Sequence, residues 1–276
     1  MGPTPRRCEG SNGALRANAL DMLFDMRMPS SFALATADID KQPAQDHPAS
    51  RRAFAATSVW IFDLDNTLYP AACDLFSQVD RRMAEYIARE LGLSFADAHR
   101  LRLAYYREYG TTLAGLMRVH GLAPAPFLDF VHDIDLSRVA ADARLAAALA
   151  RLSGRRLIFT NGSRGHAERV AQKLGVLHLF EDICDVAACE YAPKPSREAF
   201  LRMARRHDVS PGEAAIFEDM PQNLEVPHAL GMTTVLVEAC EAEPAMDHRA
   251  VPGATAPPYV HHRTRDLRAF LEALPD

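Results

Sequence analysis

From Val59 onward the apolar positions follow two alternating rhythms. Val59-Trp60-Ile61-Phe62 is a continuous apolar run that stops abruptly at Asp63-Leu64-Asp65-Asn66-Thr67. Such a run, closed by turn formers, predicts a buried parallel strand. Leu75, Val79, Met83, Ile87 and Leu91 then recur four residues apart, one face of a helix. Ser94-Phe95-Ala96-Asp97 fits a capping box that opens a second helix through about Tyr109. Shorter helical patterns follow at 113–119 and 126–132. Leu145, Ala148, Leu149 and Leu152 mark another helix, which Gly154 stops. Beyond it, strands at 157–160, 183–187, 215–217 and 233–237 alternate with helices at 167–174, 197–206 and 223–230. The stretch 239–257 reads as a surface loop, 259–260 as an edge strand and 266–274 as a terminal helix.

Strands alternating with helices predict an α/β fold, a doubly wound parallel sheet with right-handed crossovers. The helices that interrupt this pattern after the first strand predict an inserted all-helical cap domain. It would sit over the carboxyl edge of the sheet, where such folds bind ligands. The expected organisation is a core of 57–70 and 140–276 with a cap of 71–139. Residues 1–56 are rich in Pro and Gly, lack a sustained period and carry seven basic against six acidic residues. They read as a mostly disordered extension, and Met22, Met26 and Met28 each offer a later translation start.

Composition narrows the function classes. With 276 residues, of which 48% are hydrophobic, the chain can bury a sizeable core in one large or two modest domains. Lys and Arg number 31 against 36 Asp and Glu, a formal net charge of −5, which argues against a nucleic acid partner. There is no apolar run of about 18 residues, so no membrane span is expected. Five cysteines without CxxC spacing indicate neither a disulfide framework nor a zinc site, so reduced thiols and a cytoplasmic location are expected. Arg6-Arg7 is not followed by the apolar segment of a secretion signal.

The polar residues at the predicted strand ends carry the chemistry. Asp63 and Asp65 follow the first strand, Thr160-Asn161-Gly162 the next, and Glu218-Asp219 the fourth; a loop after the third carries Lys194 between Pro193 and Pro195. In a parallel sheet these ends converge on one crevice. Four carboxylates together require a cation, and an all-oxygen ligand set favours Mg²⁺ over zinc. Lys194 and Thr160, with the backbone N–H groups of the Asn161-Gly162 turn, suit a phosphate dianion. A metal, a phosphate and a free carboxylate together indicate phosphoryl transfer.

These residues also carry a resemblance. Phe62-Asp63-Leu64-Asp65-Asn66-Thr67-Leu68-Tyr69 resembles the first motif (DxDxT) of the haloacid dehalogenase superfamily. Thr160-Asn161-Gly162 resembles the second motif, Lys194 the third and Phe217-Glu218-Asp219 the fourth, over about residues 58–274. The helical insert lies where that family places its type-one cap over a Rossmann-like core. Asp-Leu-Asp-Asn-Thr-Leu-Tyr-Pro, the segment Tyr105–Leu116 and Asn223-Leu224-Glu225 are similar to the pyrimidine 5′-nucleotidase branch. The resemblance implies a Mg²⁺-dependent phosphatase acting on a small phosphorylated metabolite, a nucleoside monophosphate in that branch.

By the same resemblance Asp63 is the nucleophile that forms an aspartyl phosphate, ionised at pH 7 without a separate base. Asp65 is the general acid and then the base, its pKa expected to rise through crowding by other carboxylates. Asp63, Asp219 and the Asp65 backbone carbonyl hold Mg²⁺, with Glu218 as a further ligand. Thr160, Asn161 and Lys194 bind the phosphoryl group. Glu218 stands where the family often has Asp, and Asn223 where many relatives place a third acid; it is expected to bond metal-bound water. Of the cap tyrosines Tyr105, Tyr106 and Tyr109, core packing accounts for at least one. Tyr105, Tyr109 and Thr112 are candidates for substrate contact.

The alternatives are a phosphatase for a sugar phosphate or another small metabolite, and a catalytically silent binding protein on the same scaffold. A silent protein is expected to have lost a carboxylate or the lysine, and none is missing. A dehalogenase is disfavoured, since carbon–halogen cleavage needs neither an acid at 65 nor a metal cluster. The strand-end acids could also be solvated turn residues, a reading that four motifs in order disfavour. Trp60 is expected in the core, Cys184 and Cys189 as buried small hydrophobes, and His261-His262 without a role.

Overall fold

In the computed structural model, six parallel strands form a sheet of order β3-β2-β1-β4-β5-β6. The structure describes residues 54–239 and 257–274. The strands are β1 (Val59–Phe62), β2 (Arg155–Phe159), β3 (Asp182–Cys184), β4 (Ala214–Glu218), β5 (Thr233–Val237) and β6 (His262–Thr264). In-register parallel pairing puts Phe62 beside Ile158 on one side and Phe217 on the other. The strand order reverses direction at β1, so the crevice beyond its carboxyl end is the topological switch point.

Between β1 and β2 lie α1 (Leu75–Leu91), α2 (Phe95–Tyr109), α3 (Thr112–His120), α4 (Pro124–Val131) and α5 (Ala143–Arg151). The remaining helices are α6 (Arg164–Leu174), α7 (Arg197–Arg206), α8 (Gln222–Leu230) and α9 (Leu267–Glu272). Alternation along β1 explains the two-sided winding. Trp60 and Phe62 face a cluster completed by Leu145, Leu149 and Val170 from α5 and α6 and by Leu271 of α9. Val59 and Ile61 face the opposite cluster, with Phe200 and Met203 of α7 and Leu224 of α8. Trp60 is a core residue as expected, its indole N–H donating to the Ser153 carbonyl at 2.7 Å.

The four helices α1 to α4 build most of a third cluster around Tyr86, Ile87, Leu101, Leu116 and Phe127, which Val186 from the loop after β3 joins. Local chemistry sets their ends. Ser94 caps α2 by accepting from the Asp97 N–H, Thr111 caps α3 through Ala114, and Gly92, Gly110 and Gly121 end helices in the left-handed region. Gly115 lets α3 approach α2 closely: a Cβ there would come within 2.4 Å of the Tyr105 ring. No helix among the described residues is long and apolar enough to cross a membrane.

Three sequence expectations shift. The third strand ends at Cys184 rather than 187, because the Asp185 carboxylate accepts from the Arg164 and Ala188 N–H groups and turns the chain. The edge strand is His262–Thr264 rather than 259–260, since Thr234 Oγ1 donates to the Tyr259 carbonyl and accepts the His261 N–H. Phe54 belongs to the core and stacks on Trp60 at 5.7 Å, although it falls in the stretch read as an extension. The rest of that extension (1–53) and most of the 239–257 loop lie outside the described residues.

Gly154, which ends the α5–β2 connection, has φ +88°, and a Cβ there would lie 2.2 Å from the Ser58 carbonyl oxygen. Both features require glycine. Gly154→Ala is therefore expected to lower stability by about 2 kcal/mol or more, read as a shift of the urea midpoint at unchanged slope.

Candidate active site

The site begins where β1 ends. Asp63 follows Phe62 directly and its N–H continues the ladder by donating to the Phe217 carbonyl at 2.9 Å. Lys194, from the loop before α7, reaches the same place and is only 2% exposed. Its ammonium donates to Asp63 Oδ1 at 2.7 Å, Glu218 Oε1 at 2.7 Å and the Phe159 carbonyl at 2.8 Å. An ammonium has three donors, and all three are used. Burial alone would lower the Lys194 pKa, but Asp63 and Glu218 outweigh it and raise the value above the ordinary one. One cation thus ties together the ends of β1, β2 and β4.

Asn161 fixes the loop that carries this lysine. Its carboxamide accepts the Lys194 N–H at 2.8 Å and donates to the Lys194 carbonyl at 3.1 Å. The Asn161 side chain thus braces the lysine loop, which leaves the expected phosphate contact to its backbone N–H. Thr160 is buried beside it and its Oγ1 accepts the Gly162 N–H at 2.9 Å, which commits one of the backbone donors expected to face an anion.

Glu218 differs most from expectation. Its Oε1 takes Lys194 and the Asn223 amide, each at 2.7 Å, and its Oε2 takes the Met220 N–H at 2.9 Å. Asn223 is thereby a partner of Glu218 rather than a residue waiting for metal-bound water. Even so, one oxygen from each of Asp63, Glu218 and Asp219 lies within 4.8 Å of the others. Three buried carboxylates against one ammonium form an all-oxygen donor set with excess negative charge, the chemistry that fits Mg²⁺ and could hold it.

The two aspartates of the first motif are pushed apart. Burial raises Asp63, Lys194 opposes, and Glu218 and Asp65 add repulsion; the outcome is a pKa of about 7. Burial also raises Asp65, but His166 and the Tyr69 hydroxyl outweigh it and bring the pKa to about 2. The sequence expectation, with Asp63 ionised at pH 7 and Asp65 raised by crowding, is thus inverted. Two hydrogen-bond donors beside Asp65, invisible in the motif, are the reason.

Above these groups lies a cavity of about 170 Å³ between the sheet edge and the cap helices. Its floor includes Asp63, Asp65, Thr160, Lys194 and Asp219, and its cap wall Phe76, Val79, Met83, Arg102, Tyr106 and Thr112. Thr112 is where it was expected, its hydroxyl donating to the Arg102 carbonyl at 3.3 Å. Tyr105 and Tyr109 do not line the cavity. Tyr105 is buried inside the cap with its hydroxyl 2.6 Å from His120, and Tyr109 packs on Tyr105 beside Arg118. Tyr106 faces the site instead, accepting from Gln222 of α8 at 3.3 Å. Successive residues on a helix point about 100° apart, so only the tertiary packing chooses among the three.

Sequence reading missed His132, His166 and Arg102. Arg102 is 5% exposed and pairs with Asp80 at 2.6 Å; helical spacing with Asp80 on a different helix offered no signal for it. His166 stands four residues after Gly162 in the first turn of α6, a position that the second motif could have flagged.

Two outcomes follow. Lys194→Met leaves Asp63 and Glu218 buried without their cation and should destabilise the protein by roughly 3–5 kcal/mol, measured by chemical denaturation. A folded-state pKa near 7 on Asp63 against 3.8 unfolded means that metal-free protein loses stability as pH rises between those values. Asp65 acts in the opposite sense but only below its unfolded value of 3.8. Between pH 5 and 8 the metal-free melting temperature should therefore fall through the Asp63 contribution, and the gain in melting temperature on adding Mg²⁺ should be larger at pH 8. Calorimetry in EDTA and in Mg²⁺ at the two pH values reads both.

Comparison with known proteins agrees with the geometry. A family model for haloacid dehalogenase-like hydrolases matches residues 58–231. "Phosphate metabolism protein 8" of Saccharomyces cerevisiae is 30% identical over 156 residues, 53% of this chain and 47% of that protein. The chain thus spans about half the length of this curated relative. A haloacid dehalogenase-type phosphatase from Thermococcus onnurineus shares the fold at a TM-score of 0.52 and 17% identity, over 78% of this chain and 97% of that one. An L-2-haloacid dehalogenase does so at 0.50 and 15%, over 78% and 98%. Motifs, sheet order and family model converge: the chain belongs to the haloacid dehalogenase-like hydrolase family.

Proposed function

We propose that the protein is a Mg²⁺-dependent phosphomonoester hydrolase acting through an aspartyl phosphate on Asp63, with a nucleoside monophosphate, pyrimidine-bearing in the first instance, as substrate. The observation that carries this reading is the pairing of Asp63, tied to a buried lysine and an acidic cluster, with a second carboxylate that has its own donors. A dehalogenase needs neither that second carboxylate nor the cluster.

In the first half-reaction an Asp63 oxygen attacks phosphorus. The bond from phosphorus to the leaving oxygen breaks, its electron pair stays on that oxygen, and Asp65, which has to enter this step protonated, supplies the proton. In the second, water attacks phosphorus, gives a proton to Asp65, and the bond from phosphorus to Asp63 breaks to regenerate the carboxylate. Lys194 offsets charge on Asp63 and Thr160 lies beside the phosphoryl position; Lys194 has to exchange one of its three present bonds to reach a phosphoryl oxygen. Asp63, Asp219 and the Asp65 carbonyl would hold Mg²⁺, which supplies charge neutralisation for the phosphoryl oxygens and favours ionised Asp63. Glu218 supports the lysine through Oε1, while its Oε2 accepts the Met220 N–H.

The nucleotide part of the proposal rests on the cap wall. Aromatic and aliphatic side chains with a few polar groups, Tyr106, Thr112 and Arg102 among them, suit a planar base that carries hydrogen-bonding edges. The similarity to the yeast protein named for phosphate metabolism points to the same class of chemistry.

Phosphate release with Mg²⁺ should be measured over UMP, CMP, dTMP, AMP, GMP and several sugar phosphates, with halide release from a 2-haloacid as a control. EDTA and Asp63→Asn are expected to abolish phosphate release, and no halide should appear. A pyrimidine preference of about tenfold, about 1.4 kcal/mol of differential transition-state binding, is expected. A sugar phosphate winning the panel would remove the nucleotide and leave the hydrolase chemistry; phosphate release surviving in Asp63→Asn would remove the nucleophile.

A further inference from the structure

Two donors from separate parts of the chain converge on one oxygen of Asp65. The Tyr69 hydroxyl donates to Oδ1 at 2.6 Å, and His166 Nε2 lies 2.9 Å from the same atom. Tyr69 comes from the turn after the first motif, His166 from the first turn of α6 behind the second motif. The His166 side chain is wholly buried, whereas Asp65 keeps 22% of its side-chain surface exposed and lines the cavity. His166 Nδ1 has no partner among the described residues, so the ring's hydrogen bonding is spent on Asp65 alone.

The ring cannot rotate away. His132, at the end of α4, stacks on it at 4.5 Å and 15°, and is itself held by Ser163 at 3.0 Å. Gly162 borders this stack at ordinary contact distance. A Cβ there would lie 3.4 Å from His132 Nε2 and 3.5 Å from His166 Cδ2. A carboxyl group turns easily about its terminal torsion, because that torsion has only broad, shallow wells. Two donors on one oxygen remove this freedom and leave Oδ2 turned to the other side.

We infer that His166 is a positioning residue for Asp65, acting together with Tyr69. By holding Oδ1 it presents Oδ2 as the oxygen that exchanges the proton with the leaving group and with water. This rests on the acid–base role proposed above for Asp65. It goes beyond that role in naming which oxygen acts and what orients it. A histidine that merely fills space would not share its acceptor atom with a tyrosine hydroxyl from another segment. Nor would it need a partner that lines the cavity.

The test uses the full chain with Mg²⁺ and two substrates that differ in their need for an acid. Glycerol 2-phosphate leaves as an alkoxide and requires a proton, whereas p-nitrophenyl phosphate leaves as a stable phenolate. His166→Leu should lower kcat for glycerol 2-phosphate about 10–100-fold more than for p-nitrophenyl phosphate, a part of the roughly 10²–10⁴ that a positioned acid supplies, with KM little changed. His166→Gln, whose amide can replace Nε2–H, should recover part of the loss. Tyr69→Phe removes one hydroxyl at constant shape and should show the same leaving-group dependence to a smaller extent. It carries the test by itself if His166→Leu does not fold.

Asp65→Asn is the reference and should separate the two substrates most strongly. If Asp65→Asn separates them while the His166 and Tyr69 variants depress both equally, or neither, the positioning role is overturned. If Asp65→Asn itself does not separate them, the acid role falls and the inference falls with it.

Discussion

The arrangement of the site depends on a single buried ammonium. Lys194 lies in a crevice lined by carboxylates, and its three N–H bonds join the ends of β1, β2 and β4. An unpaired charge at that depth would be prohibitively desolvated, so the lysine and its carboxylates are stable there only together. Asn161 and Asn223 serve this pairing, one by bracing the lysine's backbone and the other by supporting Glu218. Several motif residues that read as ligands for a substrate or metal are thus used to hold the charges in place.

This constraint explains why two aspartates only two residues apart behave so differently. Asp63 shares its cation with Glu218 and has a third carboxylate close by, so its charge is poorly compensated after burial. Asp65 is held instead by the Tyr69 hydroxyl and His166, which outweigh the effect of its burial. In the metal-free site this difference places the proton on Asp63 rather than on Asp65. An ion within the acidic cluster would supply the charge that Asp63 lacks and would join it and the lysine in one electrostatic unit.

The cap enters the same unit through packing. Tyr106 meets Gln222 of the core helix that follows the acidic cluster, and His132 stacks on the histidine behind Asp65. Both contacts join the cap segment to residues adjoining the strand-end carboxylates. The cap wall of the cavity and the support of Asp65 therefore belong to one continuous set of contacts.

How much of this was legible in the chain follows from the range of the forces involved. Apolar runs of period near one and four determined the strands and helices. Their order determined the parallel sheet, and the strand-end residues Asp63, Asp65, Thr160, Lys194, Glu218 and Asp219 were brought to one crevice by topology alone. Side-chain commitments were not legible, because hydrogen-bond partners such as Asp65 and His166 lie 101 residues apart. The same holds for the inward choice of Tyr106 over Tyr105 and Tyr109, which α2 itself leaves open and its packing against α3 decides. By itself the sequence determined which strand-end residues meet, since secondary structure and crossover rules act locally. Only the tertiary structure decided what each does there, since burial and pairing of charge arise when distant segments share the same few ångströms.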